Sequence, residues 1–205
     1  MRFEYPVINI TGPDDILDPA TKRAAFAGAL FLDRDGVINV DKGYVYRRAD
    51  FEFVDGIDTL IQAARQASWA IIVVTNQSGI GRGYYSEKDF KAITHYMADE
   101  LSAIDAPIDH VFFAPHHEDA ISASYRVPDH AWRKPNPGML HAAMSHYNLR
   151  PETCLMIGDK VTDMQAAYSA GIERRCLFSP QSDNCDDAVF YLRDLRAAIS
   201  LFDSK

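Results

Sequence analysis

Two carboxylates one residue apart, Asp33 and Asp35, close the apolar run Ala29-Leu30-Phe31-Leu32 and are followed at once by Gly36. Such a run reads as a buried strand, and residues two apart on a strand share a face. Both acids therefore reach one site where the extended backbone persists past the strand end. Their repulsion demands a proton or a cation between them. A hard cation such as Mg²⁺, bound by few carboxylates and shared with a substrate phosphate, meets that demand. A polar strand end that turns at Asp and Gly is the plainer alternative, and the rest of the chain decides between the two.

Three further apolar runs end in complementary chemistry. Ile71-Ile72-Val73-Val74 leads into Thr75-Asn76-Gln77-Ser78-Gly79, Val111-Phe112-Phe113 into the loop bearing Arg133-Lys134-Pro135, and Leu155-Met156-Ile157 into Gly158-Asp159-Lys160. The carboxyl ends of strands in a parallel α/β sheet line one crevice, so these groups converge. Phosphoryl transfer through an aspartyl-phosphate needs a nucleophilic carboxylate, a metal, a cation over the transferred group and an acid for the leaving oxygen. Asp33 is the candidate nucleophile. Asp35 protonates the leaving oxygen and then, as base, activates the hydrolytic water. Asp33, Asp159 and the backbone carbonyl of Asp35 form the metal site. Lys134 supplies a point charge, Thr75 a hydroxyl and Asn76 an amide, while the planar guanidinium of Arg133 suits a second phosphate or a sugar oxygen. Taken alone, Arg133 and Lys134 read more readily as a solvated basic spot before a proline turn. Lys160 adjoins the metal acids, and Asp163 fits either a residue that orients the metal site or a first-turn acid favoured by the helix dipole.

Elements that could hold these groups alternate along the chain. Ile57, Leu60, Ile61 and Ala64 share a helical face; Trp69 to Val74 is a strand; Ser86 and Asp89 form a capping box before a helix burying Phe90, Ile93, Met97 and Leu101. A third strand spans 109–114, and 115–135 is a long loop, a class usually functional in compact domains. Pro137 to Tyr147 follows as a helix with Asn136 as its cap, Thr153 to Gly158 as a strand, Val161 to Ala170 as a helix closed by Gly171, Ile172 to Phe178 as a strand and Ala188 to Phe202 as a last helix. The expectation is an α/β fold: a three-layer, Rossmann-like, doubly wound and mostly parallel sheet. Residues 1–27, with Pro6, Gly12, Pro13 and Pro19, read as an arm laid over the domain or a partner subunit, and residues 28–205 as the catalytic domain.

The 205 residues, 47% of them hydrophobic, suffice for one domain with a substantial core. A formal charge of -8 argues against a nucleic-acid backbone or an anionic membrane as partner and stays compatible with a small phosphorylated substrate where the few cations cluster. The start of the chain lacks the basic and apolar segments of a secretory signal, and no run is long enough to span a bilayer. Cys154, Cys176 and Cys185 are odd in number and show no CxxC spacing, which fits a reducing cytoplasm; Cys154 reads as a core residue.

The clusters carry a resemblance. Asp33-Arg34-Asp35-Gly36-Val37-Ile38-Asn39, Val74-Thr75-Asn76-Gln77-Ser78-Gly79-Ile80, Arg133-Lys134-Pro135-Asn136-Pro137-Gly138-Met139 and Ile157-Gly158-Asp159-Lys160-Val161-Thr162-Asp163-Met164 follow in order. Together they resemble the four motifs of the haloacid dehalogenase superfamily, in its branch of histidinol-phosphate and heptose-bisphosphate phosphatases. The run Asn39 to Val45 and Gly81-Arg82-Gly83 are most similar to D-glycero-D-manno-heptose 1,7-bisphosphate phosphatases. The resemblance implies a Mg²⁺-dependent phosphatase of a sugar phosphate, releasing the 7-phosphate on the route to lipopolysaccharide heptose, with Arg82 among the substrate contacts. Histidinol phosphate is the alternative substrate, and an inactive phosphosugar-binding protein the alternative of another class. Branch members commonly carry a zinc loop of Cys-x-His and later Cys-x-Cys; here Ala114, His116, His130 and Trp132 take those positions. Two ligands do not make a closed zinc site, so zinc is not expected. Only 39 residues separate Asp35 from Thr75 and 58 separate Thr75 from Lys134, and the elements above consume both intervals, which predicts a capless enzyme.

Overall fold

A computed structural model of the protein describes residues 9–13, 15, 26–179 and 190–202. Seven strands form one sheet: Asn9–Thr11 (β1), Gly28–Leu32 (β2), Trp69–Asn76 (β3), His110–Ala114 (β4), Cys154–Gly158 (β5), Arg174–Phe178 (β6) and Phe190–Leu192 (β7). Their order is β1-β4-β3-β2-β5-β6-β7, and neighbours pair in parallel throughout. Central parallel strands are covered on both faces and must be apolar on both; every residue of β2, β4 and β5 is accordingly buried.

Alternate side chains feed two cores. Leu30, Leu32, Ile71, Val73, Leu155 and Ile157 meet the helices Ile57–Gln66 (α1) and Glu87–Ala103 (α3), between which the chain runs through β3 and the single turn Ser78–Gly81 (α2). Ala29, Phe31, Ala70, Ile72 and Met156 meet Gly138–Tyr147 (α4) and Val161–Ser169 (α5). This is the expected three-layer architecture. Truncating one of these buried Leu or Ile side chains to Ala costs roughly 2–5 kcal/mol. From β2 the chain builds outward through β3 to β4, then returns to the other side of β2 at β5. That reversal opens a crevice at the carboxyl ends of β2 and β5, where Asp33 and Asp159 follow.

Local expectations hold where side-chain chemistry is explicit. The capping box of α3 is present, with Ser86 Oγ accepting from Asp89 N and Asp89 Oδ2 accepting from Ser86 N. The four apolar residues expected on α1 are all buried. Gly171, at φ +81, follows α5 in the left-handed region that glycine tolerates. Cys154 lies wholly in the core, whereas Cys185 lies outside the described residues.

Three expectations change. Asn9–Thr11, within the segment read as an arm, adds an edge strand to the sheet, and Thr11 Oγ1 lies 2.8 Å from His110 Nε2 of β4; most of the remaining segment lies outside the described residues. The expected terminal helix is replaced by β7 and a 3₁₀ helix over Leu195–Leu201. Phe190-Tyr191-Leu192 favours a sheet edge, and Asp194 starts the new turn by accepting from Arg196 N. Residues 188 and 189 of that expected helix lie outside the described residues. The cap of α4 falls on Pro137, while the Asn136 amide donates to Asp129 and to the His130 carbonyl.

No cap domain interrupts the described residues. Between Asp35 and Thr75 run a flap closed by the bridges Asp35–Asn39 and Asn39–Phe53, a 3₁₀ turn over Arg48–Asp50, α1 and most of β3. Residues 115–135 are turns and irregular backbone. No helix of the described residues is long and apolar enough to cross a membrane.

Candidate active site

Four strand ends meet around a cavity of about 330 Å³ lined by Asp33, Asp35, Asp41, Tyr44, Thr75, Asn76, Gln77, Arg133, Lys134, Lys160 and Asp163, among others. β2 delivers Asp33, whose backbone N–H still bonds to the Ile157 carbonyl of β5 at 3.0 Å. The chain then folds so that Val37, Ile38 and Asn39 N–H groups all turn onto the Arg34 carbonyl. Gly36, at φ +94, permits this turn, and a Cβ there would stand 2.3 Å from Asp159 Oδ2. The glycine in the first motif therefore serves both conformation and the closeness of Asp159.

Lys134 is the electrostatic centre. It is 4% exposed, and its Nζ lies 2.9 Å from Asp33 Oδ1, 2.7 Å from Asp163 Oδ1 and 2.8 Å from the Val74 carbonyl. Three ammonium protons thus meet three acceptors. Burial opposes the Lys134 charge, but Asp163 and Asp33 outweigh it and hold the ammonium above its ordinary value. Burial pushes the Asp33 carboxyl up to about 7; Lys134 pulls it down, and Asp163, Asp159 and Asp35 push it up again. Burial likewise raises Asp159 to about 6, opposed by Lys160 and reinforced by Asp163.

Asp33, Asp159 and Asp163 present ligand oxygens within 4.8 Å of one another. Asp163 is committed on both sides, to Lys134 through Oδ1 and to the Lys160 backbone N–H through Oδ2 at 3.0 Å. It therefore both holds Lys134 and caps α5, which joins the two roles that its position allowed. Asp159 Oδ1, by contrast, is buried without a hydrogen-bond partner. A buried anionic oxygen left bare beside a second raised carboxyl has the chemistry of a divalent-cation ligand. Lys160 Nζ ties Asp41 at 3.0 Å and stands 3.8 Å from Asp159. Burial opposes its charge, but Asp159 and Asp41 raise it overall.

Asp35 lines the cavity with a carboxylate gripped by four donors. Arg34 binds it bidentately, Nε to Oδ2 at 3.1 Å and Nη2 to Oδ1 at 2.7 Å; Asn39 Nδ2 reaches Oδ1 at 3.1 Å and Gln77 Nε2 reaches Oδ2 at 3.0 Å. Arg34 is itself 1% exposed and donates to the Val45 carbonyl.

The expected residues divide. Asp33, Asp35, Thr75, Asn76, Arg133, Lys134, Lys160 and Asp163 line the cavity, and Asp159 joins through the acid cluster. Asn76, expected to offer its amide to phosphate, exchanges two hydrogen bonds with the Lys134 backbone at 2.9 and 3.0 Å, so it positions the lysine. Arg82 does not line the cavity. It stands behind Tyr44, donating to the Tyr44 hydroxyl at 2.9 Å and pairing with His117 and Asp119, because Tyr44 of the flap occupies the intervening space. At the zinc-loop positions, His116 and His130 stack face to face at 3.6 Å and Trp132 packs on Phe112.

Sequence reasoning missed Arg34, Asn39, Asp41, Tyr44, Gln77 and Tyr85. For Arg34 a signal existed: a lone cation between two acids at a buried strand end. For Tyr85, brought in by the α2 turn, no spacing could have pointed to the site.

The chain is similar to known proteins. A HAD-hydrolase-like family model matches residues 131–177. The D-glycero-alpha-D-manno-heptose-1,7-bisphosphate 7-phosphatase of Burkholderia mallei is 49% identical over 144 residues, covering 70% of this chain and 76% of that protein. The D-glycero-beta-D-manno-heptose-1,7-bisphosphate 7-phosphatase of Escherichia coli K12 is 40% identical over 179 residues, covering 83% of this chain and 93% of that one. Among solved structures, a HAD-like phosphatase from Mesorhizobium loti superposes with a TM-score of 0.80 at 35% identity, over 89% of this chain and 90% of that one. The D,D-heptose 1,7-bisphosphate phosphatase of B. bronchiseptica, solved with magnesium and phosphate, gives 0.72 at 28% identity over 84% and 97%.

Proposed function

The chain belongs to the haloacid dehalogenase-like phosphatase family that includes the heptose-1,7-bisphosphate 7-phosphatases, and on that premise we propose that it hydrolyses the 7-phosphate of a D-glycero-D-manno-heptose 1,7-bisphosphate through phospho-Asp33. The observation that carries the proposal is the ammonium of Lys134 bonded to Asp33 and Asp163 beside the bare oxygen of Asp159. A phosphosugar-binding protein has no need of that arrangement.

Asp33 and Asp159 fit Mg²⁺, joined by the Asp35 carbonyl, and the ion when bound neutralises charge on the nucleophile and the phosphoryl oxygens. Lys134 holds Asp33 in place and faces the same phosphoryl group. Asp33 Oδ forms a bond to phosphorus as the phosphorus–sugar oxygen bond breaks, and Asp35 gives its proton to the departing oxygen. Asp35 then takes a proton from water as the water oxygen bonds to phosphorus and the Asp33–phosphorus bond breaks. The Thr75 hydroxyl donates to a phosphoryl oxygen. Arg133, whose guanidinium is anchored on the His116 carbonyl at 3.1 Å, offers a planar fork at the rim to the second phosphate. A cavity of about 330 Å³ admits a sugar phosphate without a cap. Stacked His116 and His130 and the packed Trp132 support a loop ordered without zinc, and the cysteine pattern supports a cytoplasmic setting.

Phosphate release with Mg²⁺, measured on heptose 1,7-bisphosphate and on histidinol phosphate, tests the assignment. Preference for the heptose is expected; clear preference for histidinol phosphate overturns it.

A further inference from the structure

Gln77 is 2% exposed, and both N–H groups and the oxygen of its carboxamide are engaged. Nε2 donates to Asp35 Oδ2 at 3.0 Å and to Thr75 Oγ1 at 2.9 Å, while Oε1 accepts from the Tyr85 hydroxyl at 2.6 Å. Tyr85 is fixed in turn. Its ring stacks on Tyr46 at 4.9 Å and lies over Gly79, where a Cβ would approach its Cε1 to 2.2 Å. The amide cannot turn over without setting its oxygen against the Asp35 carboxylate.

From this geometry we propose that Gln77, locked by Tyr85, is a positioning residue for both ends of the phosphoryl group: the proton donor Asp35 and the phosphate-binding Thr75. The inference rests on the reading of Asp35 as the general acid. Four donors fill the lone-pair sites of the Asp35 carboxylate, so a proton is taken up and passed on at a site that one donor vacates. Arg34 and Asn39 do not line the cavity, whereas Gln77 does. The lone pair of Oδ2 that meets the leaving oxygen is thus the one Gln77 occupies. When the amide yields that lone pair it stays fixed by Thr75 and Tyr85 while Arg34 keeps its grip on Oδ2, so Gln77 meets the same lone pair again once the proton has gone. At Thr75 the consequence is complementary: Oγ1 accepts from Gln77, which frees its own hydrogen for a phosphoryl oxygen.

Leaving-group dependence separates this role from a merely structural one. An alkoxide needs a proton to depart and a p-nitrophenolate does not, whereas damage to Thr75 or to folding affects both substrates alike. The experiment compares kcat/KM on heptose 1,7-bisphosphate and on p-nitrophenyl phosphate, in Mg²⁺, for wild type, Asp35→Asn, Gln77→Met and Tyr85→Phe. Asp35→Asn is expected to lose at least about 10² more on the sugar phosphate than on the aryl ester. Gln77→Met should show the same discrimination at about 30-fold, and Tyr85→Phe, which removes one hydroxyl and keeps the ring, at about 5-fold. Equal losses on the two substrates in Gln77→Met and Tyr85→Phe, with discrimination retained in Asp35→Asn, overturn the role of Gln77 alone. Absence of discrimination in Asp35→Asn overturns the general-acid reading and this inference with it. Should Gln77→Met not fold, the Tyr85→Phe ratio decides.

Discussion

Replacing Lys134 by Met probes the charge balance on which the site stands. The substitution keeps the buried stem and deletes an Nζ held by Asp33 at 2.9 Å, Asp163 at 2.7 Å and the Val74 carbonyl at 2.8 Å. Two carboxylates and a strand carbonyl lose their shared donor. Breaking a buried ion pair from one side costs roughly 3–5 kcal/mol. Asp33 escapes part of that cost by taking a proton, since burial already raises its carboxyl to about 7, which places the expected loss near 3 kcal/mol. A divalent cation can replace some of the missing charge. Binding to the folded state alone contributes RT ln(1 + [L]/Kd), about 2.7 kcal/mol at a hundredfold excess over Kd. In wild type the ammonium already offsets the acids, so Mg²⁺ should stabilise the variant more than the parent. Urea unfolding followed by the fluorescence of Trp69 and Trp132, with EDTA and with Mg²⁺, measures both quantities. Phosphate release should fall by about 10²–10³, the scale of one lost electrostatic contact to the transferred group. A variant within about 0.5 kcal/mol of wild type in EDTA, or one that gains no more from Mg²⁺ than the parent does, refutes the reasoning.

Asp33→Asn should abolish turnover while leaving Mg²⁺-free stability intact or raised, because it removes a buried carboxyl that burial disfavours; steady-state phosphate release and urea midpoints check this. Gly36→Ala forces a Cβ to 2.3 Å from Asp159 Oδ2 at φ +94; it should cost about 1–3 kcal/mol and weaken Mg²⁺ stabilisation in a thermal-shift titration. His110, stacked on Phe112 and bonded to Thr11 and near Tyr147 Oη at 3.1 Å, is held neutral: burial, then His146, lowers it to about 3. The unfolded chain takes the proton first, so this histidine stabilises the fold above about pH 6.5 and that contribution is lost as pH falls toward about 3, at no more than about 1.4 kcal/mol per pH unit. The raised carboxyls of Asp33 and Asp159 act in the opposite sense in any variant. The prediction therefore concerns the difference between wild type and His110→Gln, which should shrink on acidification. Elemental analysis of the purified protein should find no stoichiometric zinc.

Much of this was legible because strand ends in a parallel sheet obey a simple geometry. Asp33, Thr75 and Asp159 each follow an apolar run that could only be a central strand, and their convergence required no knowledge of side-chain packing. Lys134 was legible by its chemistry but not by its burial, since a lysine before proline looks solvated until Asp163 and Val74 are seen around it. The edges of the sheet were not legible. β1 and β7 are three residues each, too short for a period to show, and each is ordered by the strand it pairs with: β4 for β1 and β6 for β7. Gln77 and Tyr85 were hidden for a different reason. Their role is set by hydrogen-bond direction, which no pattern of residue types encodes, and the place of Arg82 behind Tyr44 of the flap depends on side-chain packing that its spacing does not show.

Trapping the covalent intermediate tests the account most directly. Enzyme turning over heptose 1,7-bisphosphate with Mg²⁺ is quenched in acid, reduced with borohydride and mapped by peptide mass spectrometry. Conversion of residue 33, and of no other carboxylate, to homoserine is the predicted result. An unmodified Asp33 under conditions of demonstrated turnover, or modification at Asp35 or Asp159 instead, contradicts it.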